Sequence, residues 1–363
     1  MSRCGVPSAL AALVIGLGVG CGPVAVPLPP SGRVHHIVTI GDSYASGQGA
    51  PDAPISWWQL RFRPEWDDRR CNRSRNAATA QAVGVLKQDP AFAGDAFYEY
   101  PFACSGASIQ RGVLTPYRGS EPPSDPMDVL RPQIDEIRDR VTQGKPIDAL
   151  TITVGGNDIL FEYVVGACIL GQTKYVAQCN LLDPLVDDLL DVLALRLQKL
   201  ATQLAAIDPS LAAKVLLVEY PDPARTTAGG YCNERPRGDP LSGISECEAR
   251  WASECVLPRL NYELCQAAAA NGWRYVGGVA TRFRQHGWCA NDNWINTINH
   301  SWTTQGHYRG GVHPNARGYR EVSDVLAADL KAKLLGQSLP PTTCIAPVLG
   351  DACTRPCGIR YHP

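Results

Sequence analysis

Short strand-like segments alternate with helix-like segments along most of this chain, starting at Val34. The strand-like segments are the apolar runs VHHIVTI, AFYEYPFAC, ALTITVGG, KVLLVEYPD and WRYVGGV. The helix-like segments repeat apolar residues every three or four positions, and they are SRNAATAQAVGVL, MDVLRPQIDEIRDRV, PLVDDLLDVLALRLQKLATQLAAI, RLNYELCQAAAANG and PNARGYREVSDVLAADLKAKLLG. Repeated alternation of this kind predicts an α/β fold with a doubly wound parallel sheet and helices on both of its faces. No internal linker interrupts the pattern, so we expect one domain over residues 34–336.

The N-terminal segment is typical of a targeting signal. Arg3 precedes the apolar stretch ALAALVIGLGVG, whose twelve residues are too few to cross a bilayer. We therefore interpret residues 1–21 as a signal peptide and the proline-rich residues 22–33 as a linker. Cys21 is a candidate lipid-attachment cysteine of the bacterial lipoprotein type, although Gly18 stands where that pattern usually has leucine. A secreted protein and a protein anchored to the cell envelope through Cys21 both stay open.

Export fits the cysteine content of the chain. Of fourteen cysteines, Cys4 and Cys21 lie in the leader, and the other twelve can pair as disulfides in an oxidising compartment. Zinc is the weaker interpretation, because only Cys353 and Cys357 are closely spaced, with Cys344 nearby, and no clear fourth ligand accompanies these three. We expect disulfides and no metal. Residues 337–363, rich in proline and cysteine, are predicted to be an extension pinned by disulfides.

The remaining composition narrows the class of partner. A net charge of -1 without any basic run gives no reason to expect nucleic acid, and 45% hydrophobic with 19% charged residues is the balance of a soluble globular protein. We expect a monomer. Four long irregular stretches, residues 50–71, 162–182, 225–256 and 287–311, interrupt the alternation, and loops of this length are usually functional. The six tryptophans of the first and last of these stretches would line an acyl groove, stack on sugar rings or simply pack locally.

Polar motifs follow three of the predicted strands and open the last helix. They are Gly-Asp-Ser ending at Ser43, Cys-Ser-Gly-Ala-Ser around Gly106, Gly-Gly-Asn-Asp around Asn157, and His-Pro-Asn beginning at His313. Ligands of open parallel sheets bind beyond the carboxyl ends of the strands. A serine, a histidine and an amide there suit acyl transfer, in which His313 accepts the Ser43 proton. The backbone N–H groups of Ser43 and Gly106, with the Asn157 amide, would bind the oxyanion.

Each motif alone also has an ordinary structural interpretation. A Gly-Asp-Ser sequence is commonly only a turn, and His-Pro before a helix commonly only sets its entry. The first motif lacks the lysine of a phosphate-binding loop and the spacing of the G-x-S-x-G nucleophile elbow. The occurrence of all four motifs in order, at strand ends or a helix start, is what favours catalysis. We expect Asp42 to hold the turn rather than to act in the reaction.

On these motifs the chain resembles the SGNH (GDSL) hydrolases, whose marker residues are Ser, Gly, Asn and His in successive blocks. GDSYASGQG is similar to the first block, ACSGAS to the second, VGGND to the third and VHPNARGY to the fifth, which assigns these roles to Ser43, Gly106, Asn157 and His313. The segment CNRSRNA also matches the secreted actinobacterial-type esterases and lipases of this family. The resemblance implies a flavodoxin-like three-layer α/β/α sandwich, carboxylic ester hydrolysis and no cofactor. It also implies the disulfides Cys71–Cys104, Cys168–Cys179 and Cys232–Cys289, and leaves open which partners Cys247, Cys255, Cys265, Cys344, Cys353 and Cys357 have.

One position departs from the family pattern. The family usually has an aspartate three residues before the histidine, and here that position is Gly310. Some members resemble this case and use the backbone carbonyl at that position instead. We therefore predict a Ser43–His313 dyad whose imidazole is oriented by the Gly310 carbonyl, with the Asp292 carboxylate as the rival orienting group.

The substrate stays open at this level. The resemblance favours an exported esterase or lipase that acts on lipid or short-acyl esters. The alternatives are a carbohydrate esterase that deacetylates polysaccharides, an acyltransferase that excludes water, and a surface-binding protein that has the fold without the activity.

Overall fold

The centre of the molecule is a sheet of five parallel strands in the order β2-β1-β3-β4-β5. The computed structural model describes residues 32–170, 179–233, 236–340, 343–354 and 357. The strands are β1 (Val34–Gly41), β2 (Ala96–Pro101), β3 (Ala149–Thr153), β4 (Val215–Val218) and β5 (Arg274–Val276). The parallel sheet predicted from the alternation is confirmed.

Helices connect the strands and cover the sheet. They are α1 (Ser43–Ser46), α2 (Ala78–Leu86), α3 (Gln133–Thr142), α4 (Phe161–Leu170), α5 (Asp183–Ile207), α6 (Glu246–Trp251), α7 (Leu257–Ala270), α8 (Val279–Arg282), α9 (Ile298–Gln305), α10 (Ala316–Leu334) and α11 (Asp351–Thr354), with a π-helical turn at Ala252–Val256 between α6 and α7. One packed set consists of α2, α8 and α10, and a second of α3, α5 and α7. The arrangement is the expected three-layer sandwich.

The central strands are buried because helices cover both faces of the sheet. All five residues of β3 are buried, as are Ile37, Val38 and Ile40 of β1. In the sequence, strands buried on both faces are continuous apolar runs, without the alternation of apolar and polar residues that a half-exposed strand shows. The long helix α5 buries one stripe, including Leu193, Leu197 and Leu200. The sheet therefore holds the ends of β1 and β3 rigidly, side by side.

Several local expectations are corrected. Helix α3 begins after Pro132, so the helix predicted to start at Met127 is wrong in its first part. Proline lacks the N–H that a helix interior needs and disfavours helical conformation in the residue before it, which explains the late start. Three of the stretches expected to be irregular contain helices, namely α4, α6 and α9.

Six disulfides join the twelve cysteines that follow the leader. Three are those that the family resemblance implies: Cys71–Cys104, Cys168–Cys179 and Cys232–Cys289. The others tie the C-terminal extension to α6, the π-helical turn and α7: Cys247–Cys357, Cys255–Cys353 and Cys265–Cys344.

The predicted signal peptide, residues 1–21 with Cys21, and nearly all of the predicted linker lie outside the described residues. Among the described helices, none combines the length and apolar character that crossing a bilayer requires.

Candidate active site

The turn after β1 presents Ser43 at the start of α1. Gly41 has a φ of +136°, and a Cβ there would lie 2.0 Å from the carbonyl oxygen of Thr153, so this close approach of two strands requires glycine. Asp42 caps α1, with its carboxylate accepting from the Tyr44 N–H at 2.9 Å. Gln133 bonds both the N–H and the carbonyl of Gly41. The turn is therefore held from both sides, and Asp42 has the structural role expected of it.

Ser43 and His313, which are 270 residues apart in sequence, are in contact. The Ser43 Oγ lies 2.7 Å from the His313 Nε2, and the His313 Nδ1 lies 2.9 Å from the carbonyl oxygen of Gly311. Because a carbonyl only accepts hydrogen bonds, Nδ1 carries the proton and Nε2 is free to accept from the serine hydroxyl. This is the tautomer that a general base requires.

The group that orients His313 differs from both expected candidates. The carbonyl of Gly311, one residue after the predicted Gly310, accepts from Nδ1. The Gly310 carbonyl instead lies 3.4 Å from the backbone nitrogen of His313. The rival Asp292 is bonded to Arg317 at 2.5 Å. The orienting group is a backbone carbonyl, as predicted, but it belongs to Gly311 and not to Gly310.

A left-handed residue, Val312, stands between that carbonyl and the imidazole. Its φ is +62°, a conformation that a β-branched residue adopts only under constraint from its surroundings. The constraint is visible, because the Val312 N–H donates to the Asn296 carbonyl at 2.9 Å and the Val312 carbonyl accepts from the Tyr44 hydroxyl at 2.8 Å. No pattern in the sequence signals this turn, so the sequence alone predicts the carbonyl one residue too early.

Replacing Asp292 with alanine is expected to leave kcat/KM within roughly threefold of the original value, because its carboxylate does not face His313. Steady-state hydrolysis of a p-nitrophenyl ester measures this. Asp324→Ala is a matched control, since Asp324 is a similarly exposed carboxylate that pairs with an arginine, Arg282. A loss of about 10³ or more, approaching the ~10⁴ cost of removing a triad acid, would show that Asp292 orients the imidazole after all.

The expected oxyanion donors face the same cleft. Ser43, Gly106 and Asn157 all line it, together with His313. Gly106 has a φ of +80°, and a Cβ there would lie 2.4 Å from the Tyr117 hydroxyl, so the position requires glycine. The Asn157 Nδ2 donates to the Ala107 carbonyl at 2.9 Å, which fixes the plane of the amide. The N–H of Ser43, at the first position of a helix, has no intrahelical acceptor.

Burial controls the protonation of the groups around Ser43. It raises the pKa of Asp42 to about 7, against the opposing effect of hydrogen bonds from the Tyr220 hydroxyl and the Tyr44 N–H. The Tyr220 hydroxyl donates to Asp42 Oδ2 at 2.5 Å and accepts from the Gly156 N–H at 3.0 Å. Tyr220, which sequence reasoning did not single out, thus links the turn of Ser43 to the loop of Asn157.

Burial also lowers the pKa of His313 to about 4, although its bond to the Gly311 carbonyl opposes the shift. Neutral imidazole is the form that accepts the serine proton, so we expect kcat/KM to fall only below about pH 4 rather than near pH 6.5. The same shift makes folding stability decrease as pH falls from 6.5 to about 4, because the unfolded imidazole takes up a proton that the folded one does not.

A pH profile of kcat/KM measures the acid limb. Asp42→Asn is the control, because it keeps a capping side chain while removing the other group near Ser43 that titrates, and its acid limb should stay where it is. An acid limb near pH 6.5 in the unmodified protein would contradict the assignment.

The cleft that contains these residues is open and has a volume of about 1130 Å³. Its lining mixes apolar residues of α4 with polar residues of the four motifs. None of the six loop tryptophans is among the described residues that line it, so the expectation of a tryptophan-lined groove does not hold for this cleft. Trp294 is buried, Trp57 and Trp58 are exposed, and Trp288 lines a smaller apolar pocket beside the cleft.

A family model described as the GDSL-like Lipase/Acylhydrolase family matches residues 39–321. The match covers all four motifs and most of the sandwich. A comparison with curated proteins finds no match.

Solved structures with a similar fold include an extracellular lipase from Streptomyces rimosus, at 19% identity and a TM-score of 0.49. The match covers 81% of this chain and 99% of the lipase chain. A lipase from a goat rumen metagenome shows 16% identity and a TM-score of 0.40, and the match covers 81% of this chain and 96% of the lipase chain. A carbohydrate acetylesterase from Sinorhizobium meliloti shows 12% identity and a TM-score of 0.37, and the match covers 82% of this chain and 99% of the acetylesterase chain.

Proposed function

The chain belongs to the GDSL-like lipase/acylhydrolase family, and from this premise we propose that it is an exported serine esterase that uses a Ser43–His313 dyad. At the coarse level, family membership makes it a carboxylic ester hydrolase. The observation that carries the finer proposal is the 2.7 Å contact between Ser43 Oγ and a His313 whose other nitrogen is held by a carbonyl. The six disulfides support export, since disulfides persist in oxidising compartments.

The proposed reaction has two halves. The Ser43 Oγ attacks the ester carbonyl carbon while His313 Nε2 takes its proton, and a tetrahedral intermediate forms. The N–H groups of Ser43 and Gly106 and the Asn157 amide stabilise the oxyanion. His313 then donates the proton to the departing alkoxide, which leaves an acyl-enzyme on Ser43. A water molecule, deprotonated by His313, releases the acid and restores the serine.

The Gly311 carbonyl replaces the usual acid in this scheme. It holds the imidazole in one tautomer and one orientation without contributing a charge. The imidazolium that forms during the reaction is therefore stabilised less than in a triad, which is consistent with the lowered pKa of His313.

Labelling with a fluorophosphonate serine probe tests the proposal directly. We expect one covalent adduct, located on Ser43 by mass spectrometry, and none in the His313→Ala variant, where the serine is not activated. A protein that takes no label and binds esters without turnover would be a surface-binding protein instead.

Hydrolysis rather than transfer is favoured by the openness of the cleft, because a volume of about 1130 Å³ leaves room for water beside a bound acyl group. Product analysis with an added alcohol separates the two activities. Acyl transfer to the alcohol that is faster than hydrolysis would assign the chain to the acyltransferases.

A substrate panel of p-nitrophenyl esters, phospholipid and acetylated xylan distinguishes an enzyme for lipid or short-acyl esters from a carbohydrate esterase.

A further inference from the structure

An apolar pocket of about 50 Å³ lies beside the catalytic cleft. Its walls come from α4, α6, the π-helical turn and α7, with Trp288 contributing from a loop. Five residues line both the pocket and the cleft: Tyr44, Gly156, Phe161, Val165 and Val312. Three of these are direct chain neighbours of Ser43, Asn157 and His313. The pocket therefore adjoins the point where an ester carbonyl would be attacked.

Most polar side-chain atoms in the pocket wall have partners elsewhere, and among those of the described residues the Trp288 Nε1–H is left without an acceptor. The Tyr44 hydroxyl donates to the Val312 carbonyl and the Tyr220 hydroxyl to Asp42. The Glu248 carboxylate accepts from the Cys179 N–H and from Ser245. With these groups occupied and a single indole N–H left over, the wall consists almost entirely of apolar aliphatic and aromatic groups, which suits a hydrocarbon chain better than a sugar or an acetylated polar group.

The size of the pocket sets the length of that chain. A water-sized group needs roughly 10–15 Å³ by this measure of volume, and a methylene group is of similar size. A pocket of about 50 Å³ accordingly holds roughly three to five such groups. An alkyl part of this length belongs to butanoyl, pentanoyl and hexanoyl esters.

We propose that this pocket is the acyl subsite of the enzyme and that it selects short-chain acyl groups from butanoyl to hexanoyl. This inference rests on the proposed function, since it assumes an ester attacked at Ser43. The leaving alcohol then lies in the large open cleft, where its size is little restricted. The substrate class is a short-chain ester rather than an acetylated polysaccharide or a long-chain lipid.

A series of p-nitrophenyl esters from acetyl to dodecanoyl tests the pocket. We expect kcat/KM to rise about fourfold per added methylene up to a length between butanoyl and hexanoyl, and then to stop rising. A rise that continues to dodecanoyl would overturn the proposal.

Substitutions in the wall make the test specific. Ala252 is half-buried and lines the pocket, so Ala252→Leu should lower the ratio of hexanoyl to acetyl kcat/KM by about tenfold or more. Ala267 is a matched control, because it is also half-buried against the core but does not line the pocket, and Ala267→Leu should leave that ratio unchanged. An equal ratio in the two variants would overturn the proposal. If Ala252→Leu does not fold, Leu257→Ala serves instead, because it enlarges the pocket and should extend the rise to longer esters.

Binding of free hexanoate separates failure of the pocket from failure of the proposed function. Hexanoate should raise the Tm of the unmodified protein and of Ser43→Ala, but not of Ala252→Leu. The same binding pattern without any ester hydrolysis would overturn the serine mechanism and leave the pocket in place. Hydrolysis that depends on Ser43 with no effect of Ala252→Leu on chain length would overturn the pocket and leave the mechanism in place.

Discussion

Ser43→Ala is expected to lower kcat for ester hydrolysis by about 10⁶-fold, because among the described serines that line the cleft Ser43 is the one whose hydroxyl contacts a histidine. The alanine variant keeps the backbone turn, the Asp42 cap and the oxyanion donors, so some residual rate over water should remain. The Tm should change little, since only the hydroxyl and its single bond to His313 are lost. Steady-state kinetics on a short-chain p-nitrophenyl ester, with thermal unfolding alongside, measure both effects.

Ser46→Ala is the matched control for this result. Ser46 lies in the same short helix and is equally buried, but its hydroxyl donates to the Ser43 carbonyl and not to His313. We expect kcat of Ser46→Ala to stay within roughly tenfold of the unmodified protein, a cost in keeping with one lost hydrogen bond. If Ser43→Ala retained more than about a hundredth of the activity, the nucleophile would have to be a different residue.

Asn157→Ala is expected to lower kcat by about 10²–10³ with little change in KM, the usual cost of one oxyanion donor. The amide has two N–H donors, and one of them is committed to the Ala107 carbonyl. The other is the donor available to the cleft, and an oxyanion needs it only once charge has developed on the ester oxygen. The loss should therefore appear in kcat.

Asn157→Asp sharpens the result, because aspartate has the size of asparagine but no N–H to donate. It should lose at least as much activity as the alanine variant. An increase in KM with kcat unchanged would instead show that Asn157 binds the substrate in its ground state, and the oxyanion hole would then rest on the Ser43 and Gly106 backbone alone.

The fold and most of the candidate site followed from local patterns in the sequence. Apolar runs separated by helical repeats give a parallel sheet, and a parallel sheet collects at one edge the residues that follow its strands. The sequence alone therefore predicts that Ser43, Gly106 and Asn157 lie close together. His313 is harder to assign, because one histidine among seven at the start of a helix carries little information of its own and is indicated only together with the other three motifs.

Other features depend on geometry that local patterns do not encode. The choice of Gly311 over Gly310 depends on the left-handed conformation of Val312, which its surroundings impose and its residue type disfavours. Six tail and helix cysteines allow fifteen pairings, and only the path of the tail over α6 and α7 selects among them. The apolar pocket arises where six separate segments of the chain meet, so no single stretch of sequence predicts it.

The three disulfides of the C-terminal extension have a mechanical consequence for substrate choice. They cross-link the tail to α6, the π-helical turn and α7, the same elements that form the far wall of the pocket. A pocket can reject a chain one or two methylenes too long only if its wall does not yield, and cross-links of this kind suppress local opening of the segments they join. On the proposal above, fidelity towards chain length would depend on the cross-linked tail, while the speed of the chemistry would depend on the sheet that positions Ser43 and Asn157.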